Sequence, residues 1–353
     1  FRRRNRMPTP TLSSGGYGFT SRRRLHTRPV RQNEPVTSGR AATALGLLGT
    51  ALVGALTALQ VRANGQLGHR IDDSTLAAAF SFGSGLVLIT VIAALTPAGR
   101  RGIRALRDGI SAGGIRWWML AGGLAGAFTV SSQSITAGII GVSLFTVGFV
   151  AGQIVFGIVI DRVGYGPSGV VPVTIRRVIG GAVALLAVGI SVTGGNLTGV
   201  PWWMLLLPLL AGGGVAWQQA TNGRLRGATG SAIAATAVNF LGGTIALVLI
   251  AAVHVAIVGL PERWPSDPWP YAGGALGVGY ILLSAALVRR TGVLLLVLGS
   301  VVGQLATALV LDAFWPAPAS PGLGHEVLVA LIAVASVAIV VVPWPHTRPG
   351  ARA

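Results

Sequence analysis

The sequence has no cysteine, no lysine, and only nine acidic residues among its 353. Without cysteine it can have no disulfide framework, thiol nucleophile or Cys-ligated metal. Its five histidines (His26, His69, His254, His325 and His346) do not pair at metal-binding spacing. No HExxH helix, P-loop or nucleophile elbow occurs either, so neither an enzyme nor a metal or other cofactor is expected. Charged residues make up only 10% of the chain, against roughly a quarter in soluble domains. What is present instead is apolar: 52% hydrophobic residues and a mean hydropathy of +0.70. Apolar runs of about 20 residues can cross a bilayer as helices. The fold class implied is an all-α integral membrane protein.

The formal net charge of +18 rests entirely on arginine. Ten arginines, from Arg2 to Arg40, crowd a polar N-terminal segment whose single acid is Glu34. Such a segment cannot bury a core and is expected to be disordered. It reads as a topology-setting cytoplasmic tail or sequence upstream of Met7, or else as a targeting peptide or lipid tether. This concentration in a tail argues against a nucleic-acid partner and leaves membrane lipid as the expected one.

The apolar part of the chain repeats itself. Gln60-x-x-x-Asn64-Gly65 returns as Gln218-x-x-x-Asn222-Gly223, and Ser81-Phe82-x-x-Gly85 returns at the same offset as Asn239-Phe240-x-x-Gly243. At a slightly shorter offset, Gly122-Gly123-x-x-Gly126 matches Gly273-Gly274-x-x-Gly277. Gly148-x-x-x-Gly152-Gln153 likewise matches Gly299-x-x-x-Gly303-Gln304, and Asp161 matches Asp312. Ten spans are expected, near 43–63, 75–96, 117–136, 140–160 and 177–194, then 202–221, 230–258, 269–287, 292–311 and 326–343. Short connections rich in Gly, Pro and Arg separate them. The domains would be a basic tail at 1–40, five-helix repeats at 41–195 and 200–343, and a short tail at 344–353.

Tryptophans mark the borders, at Trp117-Trp118, Trp202-Trp203, Trp264, Trp269, Trp315 and Trp344, as interfacial indoles do. With both termini placed in the cytoplasm, the outer segments hold only Arg62, Arg70 and Arg263, with Asp72, Asp73, Glu262 and Asp267 near them. That satisfies the positive-inside rule. An odd number of spans per copy makes the second copy enter from the opposite face, which predicts inverted-topology repeats.

These motifs, with Gly152-Gln153 and Asp161-x-x-Gly164, resemble the YdcZ-type (EamA-like) branch of the drug/metabolite transporter superfamily. The chain resembles a fused pair of the five-span units that members of that family often carry singly. The second copy departs at Thr229-Gly230-Ser231 and Asn239, and its Asp312 lacks the Arg-x-Gly that follows Asp161. The resemblance implies a multi-pass bacterial inner-membrane exporter and leaves the cargo open.

Gln153 and Gln304 fall near mid-span, each after a small-residue motif that lets helix backbones approach. Each could contact substrate or act as interhelical glue. Gln60 and Asn64 share a helix face, and Ser81 should lie at a similar depth. Gln218, Asn222 and Asn239 form the matching cluster, and either cluster could line a substrate path or brace a helical hairpin. Gly122, Gly126, Gly148, Gly152, Gly273, Gly277, Gly299 and Gly303 are read as helix-packing positions, and such faces could also serve a homodimer. Ser131-Ser132-Gln133-Ser134 reads as structural, and His254 as a weak proton-relay candidate. Asp161 and Asp312 read as solvated border charges. With no charge in the middle third of any span, a small neutral or weakly polar metabolite suits the sequence better than a cation. A lipid or headgroup flippase and a non-transporting scaffold remain alternatives.

Overall fold

In the computed structural model, residues 36–166, 169–170, 172–193, 200–316 and 322–341 are described. The basic segment up to position 35, the C-terminal tail 344–353 and Trp344 lie outside them. Ten α-helices follow in order: α1 (Val36–Arg70), α2 (Ser74–Leu95), α3 (Pro97–Ser111), α4 (Gly122–Ile140) and α5 (Val142–Arg162). After them come α6 (Ile175–Thr193), α7 (Trp202–Thr229), α8 (Ala232–Val258), α9 (Gly273–Phe314) and α10 (Leu323–Val341). Short 3-10 turns at Trp117–Leu120 and Trp269–Ala272 precede α4 and α9, so the two paired glycine motifs open equivalent helices. Among the described residues, four helices are by themselves long and apolar enough to cross a membrane: those at Ser74–Leu95, Val142–Arg162, Ala232–Val258 and Leu323–Val340.

Local chemistry sets the breaks. The Asp73 carboxylate accepts from Leu76 N and caps α2, and Ser231 does the same for α8 through Ala234 N. Gly230, at φ +66°, ends α7 in the left-handed region that a glycine enters without penalty. Gly141, at φ +89°, breaks α4 from α5. Two connections depart from the sequence expectation: 97–111, and 288–291, which lies inside the continuous helix α9. Residues 97–111 form a helix rather than a loop, because Thr96 caps it through Gly99 N and Pro97 occupies its first turn.

α9 is helical throughout yet is not one rod. Leu287 meets Gly49 on α1, while Gly299 meets Thr50, the next residue. A straight helix would climb about 18 Å between those two positions, so α9 turns back between them. Its first arm runs antiparallel to α1, with Gly273 at Asn64 and Gly277 at Gln60. Its second runs alongside in the same direction, with Gly303 at Ala51, and Ala308 and Leu311 in one apolar cluster with Ala58 and Val61.

The two copies interlock by exchange. A methyl group added at Gly152 would strike Leu209 O on α7, and one at Gly303 would strike Ala51 O on α1. Gly212 faces Phe149 O and Gln153 N, as Gly54 faces Ser300 O and Gln304 N. Gly123 lies on the α8 backbone at Asn239 and Gly243, as Gly274 lies on α2 at Ser81 and Gly85. Each contact becomes its counterpart when the copies are swapped. The Gly-x-x-x-Gly faces are therefore filled within one chain, where backbone-to-backbone packing supplies the dispersion that holds helices together in lipid.

Candidate functional site

Where α1, α2, α4, α5, α7, α8 and the first arm of α9 converge lies a small cavity of about 30 Å³, room for a water molecule or two. Its lining comes in copy-equivalent pairs: Gln60 with Gln218, Phe82 with Phe240, Gly126 with Gly277, Thr129 with Tyr280, and Thr57 with Val215. Gln133, Val130, Phe149, Asn239 and Ile281 complete it, and no charged side chain contributes. The polar groups come from helices whose other faces pack tightly, so they are held in place rather than solvated.

The amides are hydrogen-bonded across helices. Gln218 Nε2 donates to Asn239 Oδ1 at 2.7 Å, and Asn222 Nδ2 reaches the same oxygen at 3.3 Å. Gln60 Nε2 donates to Gly273 O at 3.2 Å. Asn64, fully buried, donates to Gln133 Oε1 at 2.7 Å. Ser81 is buried beside Gly273 and Asn64. Thr129 Oγ donates to Ala125 O within its own helix. The structure thus places Gln60, Gln218 and Asn239 on the cavity, with Asn64 behind it on Gln133, Ser81 beside Asn64 at Gly273, and Asn222 on Asn239.

Four of the glycines have a role the sequence reading did not assign. Gly126 makes room for Gln218 Nε2 and Gly277 for Gln60 Nε2. Gly122 seats Asn222 Oδ1, and Gly273 seats Asn64 Oδ1. They are recesses for amides as much as packing surfaces. Gly148, Gly152, Gly299 and Gly303 do pack helix on helix.

Gln153 and Gln304 stand apart from this lining, on the α5–α7 and α1–α9 seams. Gln304 is buried, and its Nε2 finds no hydrogen-bond partner among the described residues; an unmet buried donor costs about 1–3 kcal/mol. Gln133, Thr129, Thr57 and Tyr280 join the site without having been singled out for it. For Thr129 and Tyr280 the signal was available, since they occupy equivalent positions of the two copies.

Two ends flank the cavity. On one side Gly65 lies on Ala137 and Gly138, Gly68 lies on Ser134 O, and Ser74 Oγ donates to that same carbonyl at 3.3 Å. Asp312, buried there, accepts from Val142 N and Ser143 N at 3.2 and 2.7 Å and so caps α5. It is not the solvated border charge expected. Above it, Arg70 bridges to Asp267 at 2.6 Å and holds that exposed carboxyl below the usual carboxylate range. His254 Nε2 meets Asp73 Oδ2 at 3.0 Å.

On the other side, Arg224 of α7 donates to Tyr165 O at 2.6 Å and Gly164 O at 3.0 Å. Its guanidinium lies 5.4 Å from both the Trp118 and Tyr165 rings. Tyr165 stacks on Trp217, and its hydroxyl shares a 3.0 Å hydrogen bond with Thr221. Asp161 pairs with Arg177 nearby.

Comparison with protein families matches residues 45–192 and again 197–339 to one family model, described as "Putative inner membrane exporter, YdcZ". The match covers both copies and most of the chain. Comparison with curated proteins finds no match. A solved structure titled only "Crystal structure of protein" aligns with 85% of this chain and 96% of its own, at 20% identity and a TM-score of 0.49.

Proposed function

The chain belongs to the YdcZ family of the drug/metabolite transporter superfamily, described as "Putative inner membrane exporter", and on that premise we propose that it is a ten-span secondary transporter rather than an enzyme. Its two five-helix copies are inverted repeats that rock against each other and expose the central cavity to alternate faces. The cargo is a small neutral or weakly polar metabolite. The observation that carries this reading is the cavity lined by equivalent residues of both copies and by no charge. Alternating access needs a site shared by two halves, with seals at either end that break in turn. Amides offer both a donor and an acceptor, and Phe82 and Phe240 offer apolar walls. A permanent charge would have to leave water with no opposite charge to meet it, at prohibitive cost.

In this account Gln218 and Asn239 exchange their mutual hydrogen bond, Gln60 its bond to Gly273 O and Gln133 its bond from Asn64, for bonds to the cargo. That keeps buried donors satisfied in both states. Gln153 and Gln304 serve the seams over which the copies slide, and Gln304 keeps a free donor that a moved helix could meet. The arginine-rich side is the cytoplasmic one, with both termini on it.

Proteoliposomes loaded with neutral amino acids, nucleosides or polyols provide the test, by counterflow of labelled solute. Protein-dependent exchange of one class, reduced at least about tenfold by Gln60→Ala/Gln218→Ala, supports the reading. Exchange confined to charged solutes, or indifferent to both amides, refutes it.

A further inference from the structure

The helix α3 is unlike every other element in how it is seated. Its neighbours are all helix ends. It follows the last turn of α2 directly, with Gly99 folded back on Ala93. Gly102 lies on Ser231, the cap of α8. Leu106 joins Ile115, Leu225 and Ala235, near the end of α7 and the start of α8. Its 15 residues span about 22 Å. A helix of that length that touches only the ends of three others runs across the bundle, at the level where spans leave the hydrocarbon.

Its faces divide accordingly. Gly99 and Gly102 are buried against the protein. Ile103 and Ile110, one heptad apart and so on a single stripe, are 39% and 46% exposed. At helical period Arg107 and Arg100 lie beside that stripe, Arg104 lies a step farther round, and Arg101 is nearly opposite it. Arg100 bonds Ala94 O at 2.8 Å, closing the end of α2. None of the four makes an ion pair among the described residues, and Asp108 is the helix's lone acid. The equivalent connection in the second copy, 259–268, has no such helix and carries Glu262 and Asp267 against Arg263.

We infer that α3 lies in the membrane plane on the arginine-rich side and binds anionic phospholipid headgroups through Arg104 and Arg107, with Ile103 and Ile110 sunk among the acyl chains. The helix presents a cationic flank beside an exposed apolar stripe, at the level where its neighbouring helices end. A helix with both lies flat at an interface, and each arginine near an anionic surface adds attraction that salt weakens.

Because the chain has no cysteine, a single introduced one is labelled uniquely. Nitroxides at Ile103→Cys and Ile110→Cys in phosphatidylglycerol vesicles should collide with oxygen and be shielded from a water-soluble nickel complex. One at Arg101→Cys should show the reverse. A fluorophore at Ile110→Cys then reports quenching by brominated phosphatidylglycerol against brominated phosphatidylcholine. The account expects a preference for the anionic lipid on the order of tenfold, lost in Arg104→Gln/Arg107→Gln and kept in Arg101→Gln. Labels at Ile103 and Ile110 open to water would overturn the placement. Equal quenching by the two lipids, or a preference that survives Arg104→Gln/Arg107→Gln, would overturn the headgroup site. Neither readout depends on transport, so either failure leaves the transport reading standing.

Discussion

The two ends of the central cavity are closed by different chemistry near the ends of the equivalent helices α1 and α7. At the end of α1, Gly65 and Gly68 let the backbone of α4 come into direct contact, with only the Ala137 methyl beside it. Near the end of α7 stands Arg224, held by carbonyls and by two aromatic rings; its counterpart in α1 is Gln66. A glycine seal is strong only while nothing enters it, because its energy is short-range dispersion. An arginine clamp can break and remake, since a guanidinium exchanges carbonyls for water at modest net cost. Two copies of one unit need not be closed in the same way.

The largest effect should come from the glycine seal. Gly68→Val places its branched side chain against Ser134 O, and overpacking of this kind costs about 1–3 kcal/mol. A lower unfolding midpoint and a newly reactive Ser134→Cys are expected in thermal denaturation and thiol labelling. An unshifted midpoint would show that the seal yields easily. Arg224→Gln comes next. It gives up charge-assisted bonds and ring contacts together worth about 2–3 kcal/mol, partly offset by rehydration of the freed carbonyls. Its signature is faster labelling of Asn222→Cys from the arginine-rich side only; faster labelling from both sides would break the distinction between the ends.

Smaller again is Asp312→Asn, which leaves one amide oxygen to accept from Val142 N and Ser143 N. Charge-assisted bonds of this type are worth about 1.5–3 kcal/mol, and part survives, so a modest fall in thermal stability is expected. The smallest is a pH effect at Arg70–Asp267. The Asp267 carboxyl titrates below its usual value because of Arg70. The bridge therefore contributes above the ordinary carboxylate range, near pH 4, and is lost as pH falls below it. Comparing the wild type with Asp267→Asn across that window should show the difference vanish in acid.

The helical membrane fold and the paired amides could be read from the sequence because apolar length and a repeated motif are one-dimensional signals. Gln60 and Gln218 carried that signal, and the structure places both at the cavity. Gln133 did not. It sits in a serine-rich turn where polar groups ordinarily bond their own helix, and only the register of α1 against α4 gives it Asn64 as a partner. Gln153 and Gln304 stand out in the sequence by their mid-span depth and the small-residue motif before each. Their small-residue motifs bring a neighbouring backbone so close that each amide ends on a seam, and which helix fills a seam is a tertiary fact. The helix α3 was obscured by its Pro, Gly and Arg content, which resembles a loop until the apolar stripe is traced at helical period.

The most direct test of the central claim is a thermal-shift screen of the detergent-purified protein against small neutral metabolites, with Gln60→Ala/Gln218→Ala and Gln153→Ala/Gln304→Ala run alongside. Ligand binding raises the midpoint by an amount set by concentration over affinity. The account predicts a shift for at least one compound that disappears in the first pair and survives in the second. A shift that survives in the first pair and disappears in the second would move the site to the seams and contradict it.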